Sequence, residues 1–301
     1  MLKSICLGRI TYDITIEMDK IPEEGSVNEF FEKKGNVGGS ASIIGCCLSK
    51  WGIGTAIAGV LGNDVSGQRV RKAFDEMRID SRYIEPSYDN DTCMSIVMVN
   101  KTSQKHTIYN LSDKYVSLKK LDFDFMPDII VVDGYDSVQG KNLMERYPHC
   151  PSVLDASLIT QPVIELLRKT KYAICTQEFA EKVSGVVIDF QVPKTMVQLY
   201  QNLKKRYLNT EFVVTLGNRG ALYCYKNQIK VSPSLKVNVV DTHGCGPIFR
   251  AAFAYTIAKG EDIEKAVKMG CIAAGLSATK LGAVDSIPTL EEMKNLYEQN
   301  Y

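Results

Sequence analysis

Val240-Asp241-Thr242-His243-Gly244-Cys245-Gly246-Pro247-Ile248-Phe249-Arg250-Ala251-Ala252-Phe253 is the stretch on which the reading of this chain turns. Lys236 to Val240 alternates and is rich in β-branched residues, which predicts a strand. Gly244 and Gly246 then open a turn. From Ile248 the positions Phe249, Ala252, Phe253, Thr256 and Ile257 recur at helical spacing. Small residues let a backbone approach a ligand, and a new helix aims free N–H groups at it. Such a turn suits an anion. It would also serve as a plain strand-to-helix connection, so the rest of the chain decides.

Outward from that stretch the sequence alternates strands with helices. Apolar runs at Ser4–Leu7, Thr55–Val60, Ile129–Val132, Ser152–Leu154, Tyr172–Cys175 and Phe212–Leu216 read as strands. Helical patterns intervene at 40–51, 68–77, 139–147, 161–169 and 193–207. Three more follow the opening stretch, at about 248–259, 263–281 and 290–297. This alternation predicts an α/β fold: a doubly wound, mostly parallel sheet flanked by helices. Two interruptions, at about 14–34 and 92–110, alternate as antiparallel-type strands. They predict a small β-sheet lid inserted into a single domain spanning 1–301. Asp133, Asp155 and Glu178 fall at or just beyond successive strand ends, which places a site along that edge.

Bulk properties exclude several classes. The chain has 301 residues, 45% hydrophobic and 24% charged, with 36 Lys+Arg against 35 Asp+Glu. That balance argues against nucleic acid or an anionic membrane as partner. There is no apolar run long enough to span a bilayer. Nine cysteines without a Cys-x-x-Cys pair and without a secretory signal predict free thiols and a cytoplasmic location. The three histidines stand apart in sequence and match no metal-ligand spacing.

Several ordered motifs resemble those of the ribokinase-like, or PfkB, family of carbohydrate kinases. They are Gly8…Asp13, Gly38-Gly39 before a small-residue helix, and Gly59-Val60-Leu61-Gly62-Asn63-Asp64-Val65-Ser66-Gly67. Val214-Thr215-Leu216-Gly217-Asn218-Arg219-Gly220, Asp241-Thr242-His243-Gly244-Cys245-Gly246, and Gly282-Ala283 with Pro288 complete the set. The resemblance implies transfer of the ATP γ-phosphoryl group to a sugar hydroxyl with Mg²⁺, under a lid that often dimerises. It implies an anion hole at Gly244, Cys245 and Gly246, and sugar contacts at Asp13, Gly38, Gly39 and position 43. Thr215, Gly217, Gly220, Asp241 and Thr242 fall on the nucleotide side, and Glu178 matches a glutamate that organises Mg²⁺ through water. Asp241 is better suited to pinning the turn.

Three positions depart from the family pattern. Its catalytic aspartate, the base for the sugar hydroxyl, is Pro247 here. Its sugar-binding asparagine is Ile43. The first residue of its N-x-x-E element is Cys175. Proline suits the start of a helix, where a missing N–H is tolerated, but it accepts no proton. A positioned base contributes about 10²–10⁴-fold. His243, four residues earlier, occupies the variable position of the motif and is a poor substitute. The sequence thus predicts a sugar kinase with its base removed; the alternative is a degenerate relative that binds nucleotide or sugar, or acts through protein association.

Overall fold

In the computed structural model, residues 1–20, 22–29, 33–111 and 116–301 are described. The central sheet has nine strands. In chain order they are β1 (Lys3–Leu7), β4 (Gly54–Gly62), β5 (Asp80–Ser87), β8 (Ile129–Val132), β9 (Ser152–Ala156), β10 (Tyr172–Thr176), β11 (Glu211–Thr215), β12 (Ala221–Tyr225) and β13 (Gln228–Ser232). A smaller sheet holds β2 (Thr11–Met18), β3 (Lys33–Gly38), β6 (Cys93–Asn100) and β7 (Lys105–Asn110). The helices are α1 (Ser40–Lys50), α2 (Val65–Glu76), α3 (Ser137–Arg146), α4 (Gln161–Leu166), α5 (Gln177–Ser184), α6 (Lys194–Arg206), α7 (Cys245–Ala258), α8 (Ile263–Ser277) and α9 (Leu290–Asn300).

The large sheet runs β13-β12-β11-β10-β9-β8-β1-β4-β5. Its strands are parallel from β11 to β5, and the β12–β13 hairpin adds an antiparallel edge. Every residue of β8 is buried, because helices cover both faces. Ile44, Phe74, Phe253 and Ile272 pack α1, α2, α7 and α8 on one face. Leu143, Val163, Phe179 and Leu203 pack α3 to α6 on the other. The chain leaves β1 toward β4 and β5 and later returns on its other side as β8. That reversal opens a crevice at the C-terminal ends of β1 and β8.

The lid has the order β3-β2-β6-β7. Its outer pairs are antiparallel, but β2 and β6 are parallel, with Thr11 opposite Cys93 and Met18 opposite Asn100. This corrects the expectation of antiparallel strands throughout. Each hairpin leaves the same edge of the large sheet, so their leading strands run in the same direction. The first hairpin also starts earlier and ends later than the sequence suggested. Within the expected lid span, residues 21 and 30–32 lie outside the described residues.

Two other expectations change. Lys236–Val240 forms no strand: Val240 N–H donates to Ala278 O at 2.7 Å instead of joining a ladder. Strand propensity without pairing to a neighbouring strand gives no strand. Helix α5 was not anticipated. The Thr176 hydroxyl accepts from Phe179 N–H at its start, and Gly185 closes it in a left-handed conformation.

Candidate active site

The turn that leads into α7 is fixed from behind. Gly244 caps the helix with φ 84°. Both Asp241 carboxylate oxygens accept backbone N–H groups, from His243 at 2.8 Å and from Gly282 at 3.0 Å. Asp241 is therefore buried as the pin of the turn and ties it to the loop after α8. Pro247 is the third helical residue, within the first turn of α7. The first helical bond in the turn is Ile248 N–H to Gly244 O at 2.9 Å, so no bond is lost to the proline.

A cleft of about 470 Å³ opens beside this turn. Gly244, Gly246 and Pro247 form part of one wall, with Thr215 at the end of β11 and Thr242 nearby. Gly39, Ile43 and Asp13 also line the cleft. Asp13 is buried on β2, and its Oδ1 accepts from Thr11 Oγ1 at 2.7 Å. Gly38 makes room for it: a Cβ there would stand 2.1 Å from the Asp13 carboxyl carbon. Ile43 offers the cleft a buried apolar side chain where a sugar contact would be polar.

Other expected residues take supporting positions. Cys245 is in the turn, but burial pushes its thiol up to about 11. Gly217 and Gly220 bracket a short 3₁₀ turn and do not line the cleft. A Cβ at Gly220 would meet the Ser232 carbonyl, so that glycine secures the β12–β13 approach. Cys175 is buried in β10 with its thiol facing Val213 O. Glu178 stands on α5 with a largely exposed side chain and pairs with Lys182 at 2.9 Å. Among the described residues no group of three His, Cys, Asp or Glu could cage a metal ion.

The cleft also holds side chains that sequence reasoning did not assign. Arg250, on α7, is buried and donates from Nη2 to Asp155 Oδ1 at 2.9 Å. The other Asp155 oxygen accepts from Ser40 Oγ at 2.5 Å. Asp133, at the end of β8, accepts from Arg9 N–H at 2.8 Å and Tyr135 N–H at 3.1 Å. Burial raises its carboxyl to about 7, the two amides pull it back, and Asp155 adds to the rise. Asp133 and Asp155 were visible as strand-end acids. Arg250 gave no signal beyond being a charge inside an apolar helix.

Two of the three histidines meet in the cleft. His106 of β7 places Nδ1 3.2 Å from Thr242 Oγ1, and its ring meets that of His243 with centroids 5.4 Å apart. His243 Nε2 lies 3.8 Å from Asp13 Oδ2. Burial holds both imidazoles below the ordinary histidine range. On the opposite side of the lid, Asn36 Nδ2 and Lys34 Nζ each reach Asp285 Oδ2 at 2.8 Å. The segment Gly59–Gly67 proves structural: Asp64 caps α2 through Gly67 N–H at 2.7 Å and accepts from Thr92 N–H at 2.6 Å, fastening the second lid hairpin.

Comparison with known proteins agrees with this architecture. The family model for pfkB family carbohydrate kinases matches residues 1–290. The ribokinase of Lactococcus lactis is 23% identical over 307 residues, covering 98% of this chain and 96% of that protein. A crystal structure from Agrobacterium tumefaciens superposes with a TM-score of 0.90 at 20% identity, covering 99% of this chain and 98% of that one. The Arabidopsis thaliana ribokinase complexed with ribose and ATP superposes at 0.80 and 20% identity, with 98% of each chain covered. With its fold, its glycine turns and its matched length in agreement, this chain belongs to the pfkB family of carbohydrate kinases.

Proposed function

We propose that this protein is an ATP-dependent sugar kinase that works without the family's general base. One observation carries the reading. A single cleft is lined by Asp13 of the lid and Gly39 together with Gly244, Gly246 and Thr215. Phosphoryl transfer depends mainly on positioning and electrostatics, which this arrangement supplies. Asp13 accepts hydrogen bonds from the acceptor sugar, with Gly38 and Gly39 letting it sit close. The Gly244 and Gly246 amides, at a helix N-terminus, face the phosphoryl group, while the Cys245 N–H is held by Thr242 O at 3.3 Å. Thr215, Gly217, Gly220 and Thr242 serve the nucleotide side. Glu178 would reach a nucleotide-bound Mg²⁺ through water after releasing Lys182.

A homodimer through the lid follows from the same reading. Ile14 faces Ile96 and Ile16 faces Met98 across β2 and β6, on the lid face turned away from the cleft, and all four are only half-buried. A second copy would cover them. The nine free thiols fit a reducing compartment such as the cytoplasm.

Pro247 and Ile43 favour a second reading, binding of nucleotide and sugar without useful turnover. ADP release measured with ATP–Mg²⁺ and a panel of pentoses, hexoses and nucleosides separates the two, with calorimetry reporting binding. The kinase reading expects ATP binding and acceptor-dependent turnover about 10²–10⁴-fold below an ordinary kinase. Binding without any acceptor-dependent ADP release establishes the second reading, and no binding of ATP or sugar sinks both.

A further inference from the structure

Arg250 sits one helical turn beyond Pro247, and helical side chains lean toward the N-terminus. Its guanidinium therefore comes back under the turn. A Cβ on Gly246 would lie only 2.8 Å from Nη1, so the guanidinium occupies the space that the absent side chain leaves. The head group is anchored at one end: Nη2 holds Asp155 Oδ1 at 2.9 Å and points at Ile174 O at 3.5 Å. Asp155 is itself locked by Ser40. Nε is buried without a hydrogen-bond partner, and Arg250 lines the cleft although its side chain is only 4% exposed. A buried charge pair is retained at a cost in desolvation, with a donor left unused.

We propose that Arg250 supplies positive charge to the transferring phosphoryl group, taking over from the lost carboxylate as the turn's contribution to catalysis. The proposal rests on the kinase reading and assigns it a charge-reversed active site. In the transfer, the bond from the γ-phosphorus to the β–γ bridging oxygen breaks as the acceptor hydroxyl oxygen bonds to phosphorus. The hydroxyl proton passes to an oxygen of the transferred group and then to water. Such a transition state is loose, with charge spread over three equatorial oxygens. It asks less of a base than of a cation, and arginines so placed are worth about 10³–10⁵-fold. Asp155 is the positioning residue that holds Arg250 in place.

The test uses the full chain and a charged mimic of the transition state, ADP–Mg²⁺ with aluminium fluoride. Calorimetry should show the wild type binding this mimic about tenfold or more tighter than the double variant Arg250→Gln/Asp155→Asn. Removing both partners leaves no unpaired buried charge. Affinity for ADP–Mg²⁺ alone should change less than about threefold. Equal losses for mimic and ADP would overturn the proposal and leave the kinase reading standing. Failure of the wild type to bind ADP–Mg²⁺ or ATP–Mg²⁺ would instead overturn the kinase reading and the proposal with it. Pro247→Asp gives an independent check that leaves Arg250 in place. The new carboxylate would be drawn to the guanidinium, so turnover should not rise and the mimic should bind about tenfold more weakly. A tenfold gain in turnover from Pro247→Asp alone would overturn the proposal.

Discussion

His106 on the lid and Thr242 on the glycine turn are joined across the cleft, with Nδ1 and Oγ1 3.2 Å apart. The contact makes the lid's last strand a direct partner of the helix N-terminus. One such hydrogen bond contributes about 1 kcal/mol, or roughly fivefold in an equilibrium. His106→Ala should therefore weaken acceptor binding about fivefold in calorimetry and speed amide exchange across 105–110. Exchange in β8 should be unaffected. Unchanged exchange in 105–110 would show that the contact does not hold the lid.

The two cleft histidines set an acid limit. Burial lowers both imidazoles in the folded state relative to the unfolded chain. Their neutral forms are favoured by folding, so this contribution is complete above about pH 6.5 and is lost as pH falls below it. Protonation would also set two cations in rings 5.4 Å apart. Thermal melts should show a drop in Tm below pH 6.5 that is smaller in His106→Gln/His243→Gln. A double variant with the wild-type slope would remove the histidines from the account.

Asp133 acts with the opposite sign. Its carboxyl is raised from 3.8 to about 7, so the folded state holds the proton more tightly than the unfolded one. The contribution is complete below pH 3.8 and disappears as pH rises through 7, a difference of up to about 4 kcal/mol. Asp133→Asn should gain stability relative to the wild type at pH 8 compared with pH 5, read from urea unfolding. A difference between variant and wild type that is constant with pH would count against a protonated Asp133.

The pin of the turn should be costly to remove. Asp241→Ala strands the N–H groups of His243 and Gly282 in a buried place, at about 1–3 kcal/mol each. Urea unfolding should show a loss of at least about 2 kcal/mol. A loss below about 0.5 kcal/mol would mean that the loop after α8 does not depend on this carboxylate.

Two turn glycines should rank differently. Gly244 has φ 84°, and a Cβ there would fall 2.5 Å from the Ala283 Cβ. Gly217 has φ 60° with no atom within 4 Å of such a Cβ. Gly217→Ala should cost about 1–2 kcal/mol from conformation alone, and Gly244→Ala about 1–3 kcal/mol more from overlap. The reverse order in Tm would contradict the packing of Ala283 against the turn.

Much of this was legible in the sequence, for physical reasons. Gly39 and Gly244 announced themselves because left-handed backbone is a local demand that few other residues meet. The strand-helix alternation was clear because strands covered on both faces are apolar throughout. Contacts between distant segments were hidden. Arg250 acquires meaning only when β9 brings Asp155 beneath its helix, and His106 only when the lid folds over Thr242. Lys236–Val240 misled because alternation records what a segment tolerates, not whether it pairs with a neighbouring strand. The parallel pairing of β2 with β6 depends on where both hairpins are rooted, which no single stretch encodes.

Those roots have a consequence for how such a protein can change. Arg9, in the link from β1 to the lid, is stapled to Asp133. Ser40, just after the return from β3, is stapled to Asp155. The acids that shape the floor of the cleft are thus also the hinges' fastenings. Selectivity for an acceptor and the ease of opening cannot drift apart here: a substitution that retunes the floor also resets the hinge, and a new substrate comes with a new rate of release.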